Sequence, residues 1–190
     1  GDVNIGGFTS SFFVLIDILR MKIAIIGYSG SGKSTLARKL SDFYNVPILH
    51  LDTVKFLPNW GSRNLEEKLQ IVGDFLKTNS SWVIDGNYGK LYYWERMEQA
   101  DTIVILRFGR FQSLCRVFNR YRKYKGVSRP DMAVGCNEKL DFDFVKWILW
   151  GGRSKSLRWR YEEVISRYPN KVFQIENQKE LDRFISNLLH

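Results

Sequence analysis

The chain has 190 residues, of which 44% are hydrophobic and 15% aromatic, a composition typical of one folded domain that excludes an intrinsically disordered protein. No apolar run reaches the roughly 18 residues that a membrane-spanning helix requires, so we expect no membrane partner. The net charge of +9 lies entirely within residues 106–170, which hold 15 Lys/Arg against 6 Asp/Glu, whereas the remainder is balanced at 14 against 14. This basic stretch indicates an anionic partner, either nucleotide phosphates or a nucleic-acid backbone, although a solvated basic face has the same composition.

The amino-terminal segment differs in character from the rest of the chain. Met21 opens a segment that is typical of the start of an α/β domain. We therefore interpret residues 1–20 as a leader or N-terminal extension and residues 21–190 as one domain, with a native arm packed on that domain as the alternative. The two cysteines, Cys115 and Cys136, lack the spacing of a zinc or redox site, which favours incidental thiols and a cytoplasmic location.

Five short runs rich in Val, Ile and Leu predict β-strands. Most are continuously apolar rather than alternating, which favours strands covered on both faces and hence a parallel sheet. Helical patterns lie between the runs, and this alternation predicts right-handed crossovers and a three-layer α/β fold with five parallel strands. The five runs are Lys22–Ile26, Pro47–Leu51, Ser81–Ile84, Thr102–Leu106 and Lys171–Ile175.

One stretch is longer than this alternation requires. Between Leu106 and Lys171 lie 64 residues, more than a single crossover helix needs. The surplus, about residues 123–143, contains glycine and proline and little apolar periodicity. We predict that it forms a helical lid insertion over the site, because insertions of this kind often cover active sites.

The segment from Gly27 to Ser34 has the pattern G-x-x-x-x-G-K-S, with a predicted strand before it and an amphipathic helix after it. This context predicts a phosphate-binding loop (P-loop), in which glycines let backbone N–H groups approach phosphate oxygens and the helix adds its N-terminal amides. We expect ATP with Mg²⁺ as the bound group, with Lys33 on the β- and γ-phosphates and the Ser34 hydroxyl on the metal. The predicted cofactor-binding residues are Gly27, Ser29, Gly30, Ser31, Gly32, Lys33, Ser34 and Thr35.

Two further predicted strands are followed by aspartate at their carboxyl ends, where ligands bind in open parallel sheets. Asp85 follows the third run, and we predict that it holds Mg²⁺ together with Ser34. Asp52 closes the second run and is predicted to bind the phosphoryl acceptor or to take a proton from its hydroxyl. A purely local role is the alternative for both, since Asp is common at strand ends and helix N-caps.

The basic stretch contains candidate phosphate ligands. Arg116 and Arg120 are one helical turn apart, and Arg153 follows the predicted lid, so all three are predicted to neutralise charge on the transferring phosphoryl group. Aromatic residues interleaved with these charges would suit stacking on single-stranded nucleic acid, but their helical spacing favours the core. The tryptophans in question are Trp147, Trp150 and Trp159.

Several motifs together resemble adenylate kinase and its small-kinase relatives, and more closely the bacterial DNA topology modulation proteins related to FlaR. The motifs shared with adenylate kinase are Gly27–Thr35, Ile84–Gly86, Ala100–Leu106 and Arg116-x-x-x-Arg120. Those shared with the FlaR-related proteins are Gly27–Ser34, Leu49–Asp52, Trp82–Tyr88, Arg129–Met132 and Lys146–Trp150. The adenylate kinase resemblance implies ATP, Mg²⁺ and a sheet order of 2-3-1-4-5. It also implies that Arg116 and Arg120 clamp phosphates.

Two departures from adenylate kinase argue against AMP as the acceptor. Adenylate kinase continues its Asp-Gly with Pro-Arg, whereas Asn87 and Tyr88 stand here, and the second run ends in Leu-Asp as in kinases of sugars, shikimate or nucleosides. The leading hypothesis is therefore an ATP-dependent phosphotransferase with an unidentified small acceptor. A nucleotide-binding protein that binds DNA through residues 106–170 is the alternative, and a slow ATPase or nucleotide sensor is a third possibility. The predicted catalytic residues are Lys33, Asp52, Asp85, Arg116, Arg120 and Arg153.

Overall fold

The structure, a computed structural model, describes residues 21–124, 136 and 140–188. The predicted leader, most of the predicted lid and the motif Arg129–Met132 lie outside these residues. Within them the strands are β1 (Lys22–Gly27), β2 (Ile48–His50), β3 (Phe56–Leu57), β4 (Gly61–Ser62), β5 (Trp82–Asp85), β6 (Thr102–Leu106) and β7 (Val172–Ile175). The α-helices are α1 (Lys33–Tyr44), α2 (Leu51–Lys55), α3 (Leu65–Thr78), α4 (Tyr93–Gln99), α5 (Arg110–Tyr124), α6 (Phe142–Leu149), α7 (Lys155–Arg167) and α8 (Gln178–Leu188).

The central sheet is parallel and has the order β2-β5-β1-β6-β7. Counting only its five strands along the chain, this order is 2-3-1-4-5, so the predicted topology is confirmed. β3 and β4 form a separate antiparallel hairpin after α2. Because all five strands of the sheet are parallel, the carboxyl ends of β1, β2 and β5 meet at one edge, and the site residues lie there.

Helices cover both faces of the sheet, which explains the continuously apolar strands. In β1, Ala24 and Ile26 face one core, and Ile23 and Ile25 face the other. The first core also receives α3, α4 and α7, and the second receives α1 and α8. Each buried aliphatic side chain contributes about 1.5–3 kcal/mol, so both cores stabilise the edge that carries the site.

The prediction that the tryptophans of the basic stretch lie in the core is wrong. Trp147, Trp150 and Trp159 expose 51%, 62% and 61% of their surface. The reason is that periodicity identifies a helix face without revealing what covers it. In the eight-residue helix α6, Ile148 is buried, whereas Trp147 on the same helix is partly exposed to solvent.

None of the helices among the described residues is long and apolar enough to cross a bilayer.

Candidate functional site

The predicted P-loop joins β1 to α1, and its glycines occupy positions that other residues cannot adopt without strain. Gly27 has φ of 148°, and a Cβ there would lie 2.3 Å from the backbone oxygen of Leu106 in the adjacent strand. Gly32 is the left-handed N-cap of α1, with φ of 96°. No side chain caps this 12-residue helix, so its first amides remain directed at the loop. Uncapped amides at the N-terminus of a helix are the groups that bind anions in proteins.

Hydrogen bonds within the chain hold the loop in shape. The carbonyl of Tyr28 accepts from the Ser31 hydroxyl at 2.7 Å and from Lys33 Nζ at 2.9 Å. Ser31 is fully buried, and its own carbonyl accepts from Arg116 at 2.8 Å. The Ser31 hydroxyl therefore supports the loop from within. Ser29 accepts a hydrogen bond from Trp147 Nε1 at 3.3 Å.

The remaining predicted ligands of the loop lie around these residues. Gly30 has φ of 76° and packs against Ser113 and Val117 of α5. Thr35 is exposed on the first turn of α1, one residue beyond Ser34.

Asp85 and Ser34, 51 residues apart in the chain, meet at the carboxyl edge of the sheet. Ser34 Oγ donates to Asp85 Oδ2 at 3.0 Å, and Asp85 is 5% exposed. His50 Nδ1 contacts the other carboxylate oxygen of Asp85. Because the Ser34 hydroxyl donates its hydrogen to the carboxylate, its lone pairs remain available to ligate a cation. Hydroxyl and carboxylate oxygens are the ligands that Mg²⁺ prefers. These two residues therefore fit a magnesium ion.

Asp52 does not end a strand as predicted. β2 ends at His50, so Asp52 lies in the first turn of α2, half-buried. Its carboxylate accepts a hydrogen bond from the hydroxyl of Tyr88, and burial together with the negative charge of Asp52 raises the Tyr88 pKa above its usual value. Lys55 Nζ lies 5.6 Å from the centroid of the Tyr88 ring. Asp52 and Lys55 of α2 therefore contact Tyr88, which lies in the loop that follows β5.

Asn87, which the sequence marked only as a departure from the adenylate kinase pattern, connects three parts of the site. Its side-chain amide donates to the carbonyl of Gly27 at 2.6 Å and accepts from the N–H of Gly27 at 3.0 Å. Tyr161 and Arg160, both on α7, bond to Asn87 at 3.1 Å and 3.0 Å. Asn87 therefore holds the first P-loop glycine by both backbone groups and ties it to α7. The only signal in the sequence was a polar residue just beyond a strand end.

The loop that carries Asn87 is held by a second residue that the sequence analysis missed. Arg96 of α4 is fully buried and donates to the backbone carbonyls of Gly86, Tyr88 and Leu91. Burial lowers the pKa of Arg96 to about 10. Because three carbonyls of one loop accept hydrogen bonds from the same rigid guanidinium, Arg96 fixes the conformation of that loop.

The predicted arginines occupy different places around the P-loop. Arg116 contacts the loop directly through the carbonyl of Ser31, and burial lowers its pKa. The guanidinium of Arg153 stacks 4.1 Å over the ring of Tyr28, and burial, with the nearby positive charge of Arg110, lowers its pKa. Arg120 is half-buried on α5, one turn beyond Arg116. The structure thus brings Arg116 and Arg153 against the loop.

Three tyrosines around this site, the buried Tyr93 and Tyr161 and the half-buried Tyr88, predict alkaline instability. Burial raises the pKa of Tyr93 to about 12 and raises those of Tyr88 and Tyr161 further. Above pH 10, the usual tyrosine value, the folded chain therefore keeps protons that the unfolded chain loses, and the free energy of unfolding falls as pH rises. The lowered pKa values of Arg96, Arg116 and Arg153 act in the opposite sense and offset part of this loss.

We expect circular dichroism and tyrosinate absorbance, followed together above that pH, to show three phenols that ionise only on unfolding. Full ionisation of all the tyrosines while the fold persists would contradict this assignment.

The comparisons with known proteins support the fold without extending to a family. No family model and no curated protein matches the sequence. Among solved structures, the chain is similar to shikimate kinase from Acinetobacter baumannii in complex with shikimate, with a TM-score of 0.52, 14% identity, and coverage of 93% of this chain and 99% of that one. It is also similar to an uncharacterized protein from Eubacterium ventriosum, with a TM-score of 0.47, 16% identity, and coverage of 90% and 98%. The chain therefore has a P-loop kinase-like fold, and the resemblance to the FlaR-related proteins stays a prediction.

Proposed function

We propose that the protein is an ATP-dependent phosphotransferase that acts on a small acceptor bearing a hydroxyl group. The observation that carries the proposal is the hydrogen bond of 3.0 Å between Ser34 and Asp85. Ser34 directly follows Lys33, the lysine of the P-loop pattern. A hydroxyl and a carboxylate joined at the N-terminus of a helix are the protein groups that hold the metal of a nucleoside triphosphate.

Each part of the site has a role in this reaction. Lys33 and the amides of the P-loop bind the β- and γ-phosphates, while Ser34 and Asp85 hold the Mg²⁺ that neutralises phosphate charge. The acceptor oxygen bonds to the γ-phosphorus, the bond from that phosphorus to the bridging oxygen breaks, and ADP leaves. Asp52 takes the hydroxyl proton of the acceptor.

The arginines complete the electrostatic part of the mechanism. Arg116 and Arg153 contact the P-loop, and Arg120 lies one turn along α5 from Arg116. Guanidinium groups in these positions offset the charge that develops on the transferring phosphoryl group. Positioning and electrostatics supply most of the rate acceleration in reactions of this kind.

A coupled ADP-release assay over nucleosides, nucleotides, sugars and small alcohols tests the proposal. We expect Mg²⁺-dependent release that responds sharply to one chemical class of acceptor and falls in the variant Asp52→Asn by about 10²-fold or more. Release that no acceptor changes would instead indicate an ATPase or nucleotide sensor. Calorimetry that detects no ATP binding in the presence of Mg²⁺ would refute the proposal altogether.

One observation favours nucleic-acid binding as a second candidate function. The exposed tryptophans Trp147, Trp150 and Trp159 lie in the basic stretch, and aromatic rings beside cations stack well on single-stranded bases. This candidate predicts roughly micromolar affinity for a single-stranded oligonucleotide and a steep loss of affinity with salt. A filter-binding titration at two salt concentrations separates it from the kinase, for which we expect weak binding at both.

A further inference from the structure

His50 is a buried polar residue that the proposed mechanism does not yet use. It ends β2, is 9% exposed, and pairs in register with Asp85 at the end of the neighbouring strand β5. The pairing of the two strands therefore places the imidazole beside the carboxylate. His50 Nδ1 contacts Asp85 Oδ1, and because an ionised carboxylate only accepts hydrogen bonds, Nδ1 is the nitrogen that carries the hydrogen.

The two oxygens of Asp85 have separate partners. His50 occupies Oδ1, and the Ser34 hydroxyl occupies Oδ2 at 3.0 Å. A carboxylate held at both oxygens has no freedom to rotate about its terminal bond. With only one partner, the carboxylate would turn and the hydroxyl of Ser34 would lose its fixed acceptor.

The orientation of the Ser34 hydroxyl depends on this arrangement. While its hydrogen points at Asp85, its lone pairs face away from the carboxylate and are free to ligate a cation. Polar partners behind metal ligands commonly change metal affinity by about 10–100-fold when they are removed.

We propose that His50 is a positioning residue for the magnesium site, acting through Asp85 to orient the Ser34 hydroxyl. The inference rests on the proposed function, because it concerns the metal that accompanies ATP. It adds a residue from β2 to a site otherwise built from the P-loop and β5, and it assigns the role to the hydrogen bond from Nδ1.

Two substitutions separate this role from general packing. In His50→Asn the side-chain amide nitrogen is attached at Cγ, as Nδ1 is in histidine, so a donor remains near Asp85. In His50→Gln the amide nitrogen is one carbon further out, at the level of Nε2. Both replacements are polar, so they differ mainly in where the donor lies.

The measurement is the binding of a non-hydrolysable ATP analogue to the full chain by calorimetry, with Mg²⁺ and then with EDTA. The ratio of the two affinities gives the magnesium enhancement. We expect it to stay within about threefold of wild type in His50→Asn and to fall by about tenfold or more in His50→Gln, with unchanged affinity in EDTA. Electron paramagnetic resonance of Mn²⁺ in the complex with the same analogue should show the same order of affinities.

Ser41→Ala serves as the matched stability control, because it removes a buried hydrogen bond of 2.6 Å to Val46 at the other end of α1. We expect it to lower thermal stability without changing the magnesium enhancement. If His50→Gln does not fold, His50→Asn decides alone, since loss of the enhancement in that variant overturns the inference.

Equal enhancements in wild type and His50→Gln, or equal losses in both His50 variants, would also overturn the role of His50 while leaving the proposed function intact. A wild-type chain that binds no analogue with Mg²⁺ would refute both.

Discussion

Lys33→Ala should lower phosphoryl transfer by at least about 10²–10³-fold while leaving the fold intact. Lys33 is the first residue of α1 and donates to the carbonyl of Tyr28 at 2.9 Å, which places its ammonium within the P-loop. In the proposed mechanism, removing that charge takes away the lysine that stabilises the β- and γ-phosphates as charge develops on them. The rate of ADP release and the affinity for ATP by calorimetry measure the loss.

The matched control for this prediction is Lys39→Ala, the same substitution on an exposed position of the same helix. We expect its rate and melting temperature to resemble those of wild type. Helix α1 is held by Leu36, Ala37 and Leu40, so thermal unfolding of both variants should remain cooperative. Turnover like that of wild type in Lys33→Ala would disprove the assigned mechanism.

Gly27→Ala should destabilise the protein by about 2 to 6 kcal/mol, from backbone strain and overpacking together. The new Cβ would lie 2.3 Å from the oxygen and 2.8 Å from the nitrogen of Leu106, both backbone atoms of the adjacent strand β6. Neither atom can move without breaking the pairing of β1 with β6. Gly27 also holds Asn87 by two hydrogen bonds, so a shift there would displace the loop after β5 as well.

Gly109→Ala is the control for this substitution, because a Cβ there would meet only the end of the Gln112 side chain, at 3.8 Å. Its free energy of unfolding, measured by urea denaturation, should change by no more than about 0.5 kcal/mol. A stable Gly27→Ala variant that binds ATP as wild type does would show that this position tolerates a side chain. The close packing of the P-loop against β6 would then need revision.

The strands and the conformation of the glycine-rich loop after β1 could be predicted because their signals are local. A continuously apolar run such as Ile103–Leu106 indicates a strand covered on both faces, wherever the covering helices come from. The pattern from Gly27 to Ser34 is likewise local, because its glycines stand at positions where the backbone adopts a positive φ. The sheet order came from the resemblance to adenylate kinase, and the structure confirms it.

Other residues of the site could not be predicted, since their roles depend on distant neighbours. Nothing near Asn87 in the chain indicates that its amide would reach Gly27, 60 residues away. An arginine on a short helix is expected to be exposed, yet Arg96 is fully buried beneath the loop to which it donates its hydrogen bonds. Trp147 shows the opposite error, because helical spacing favoured a core position for a side chain that is 51% exposed.

The sequence by itself determined the parallel sheet, the glycine-rich loop after the first strand and the aspartate beyond the third predicted run, because each is encoded by neighbouring residues and their backbone preferences. Only the tertiary structure decided what surrounds that aspartate, with Ser34 on one carboxylate oxygen and His50 on the other. The physical reason is that strand pairing brings together residues that the chain keeps far apart. Hydrogen bonds formed across such a junction leave no periodic trace in the sequence.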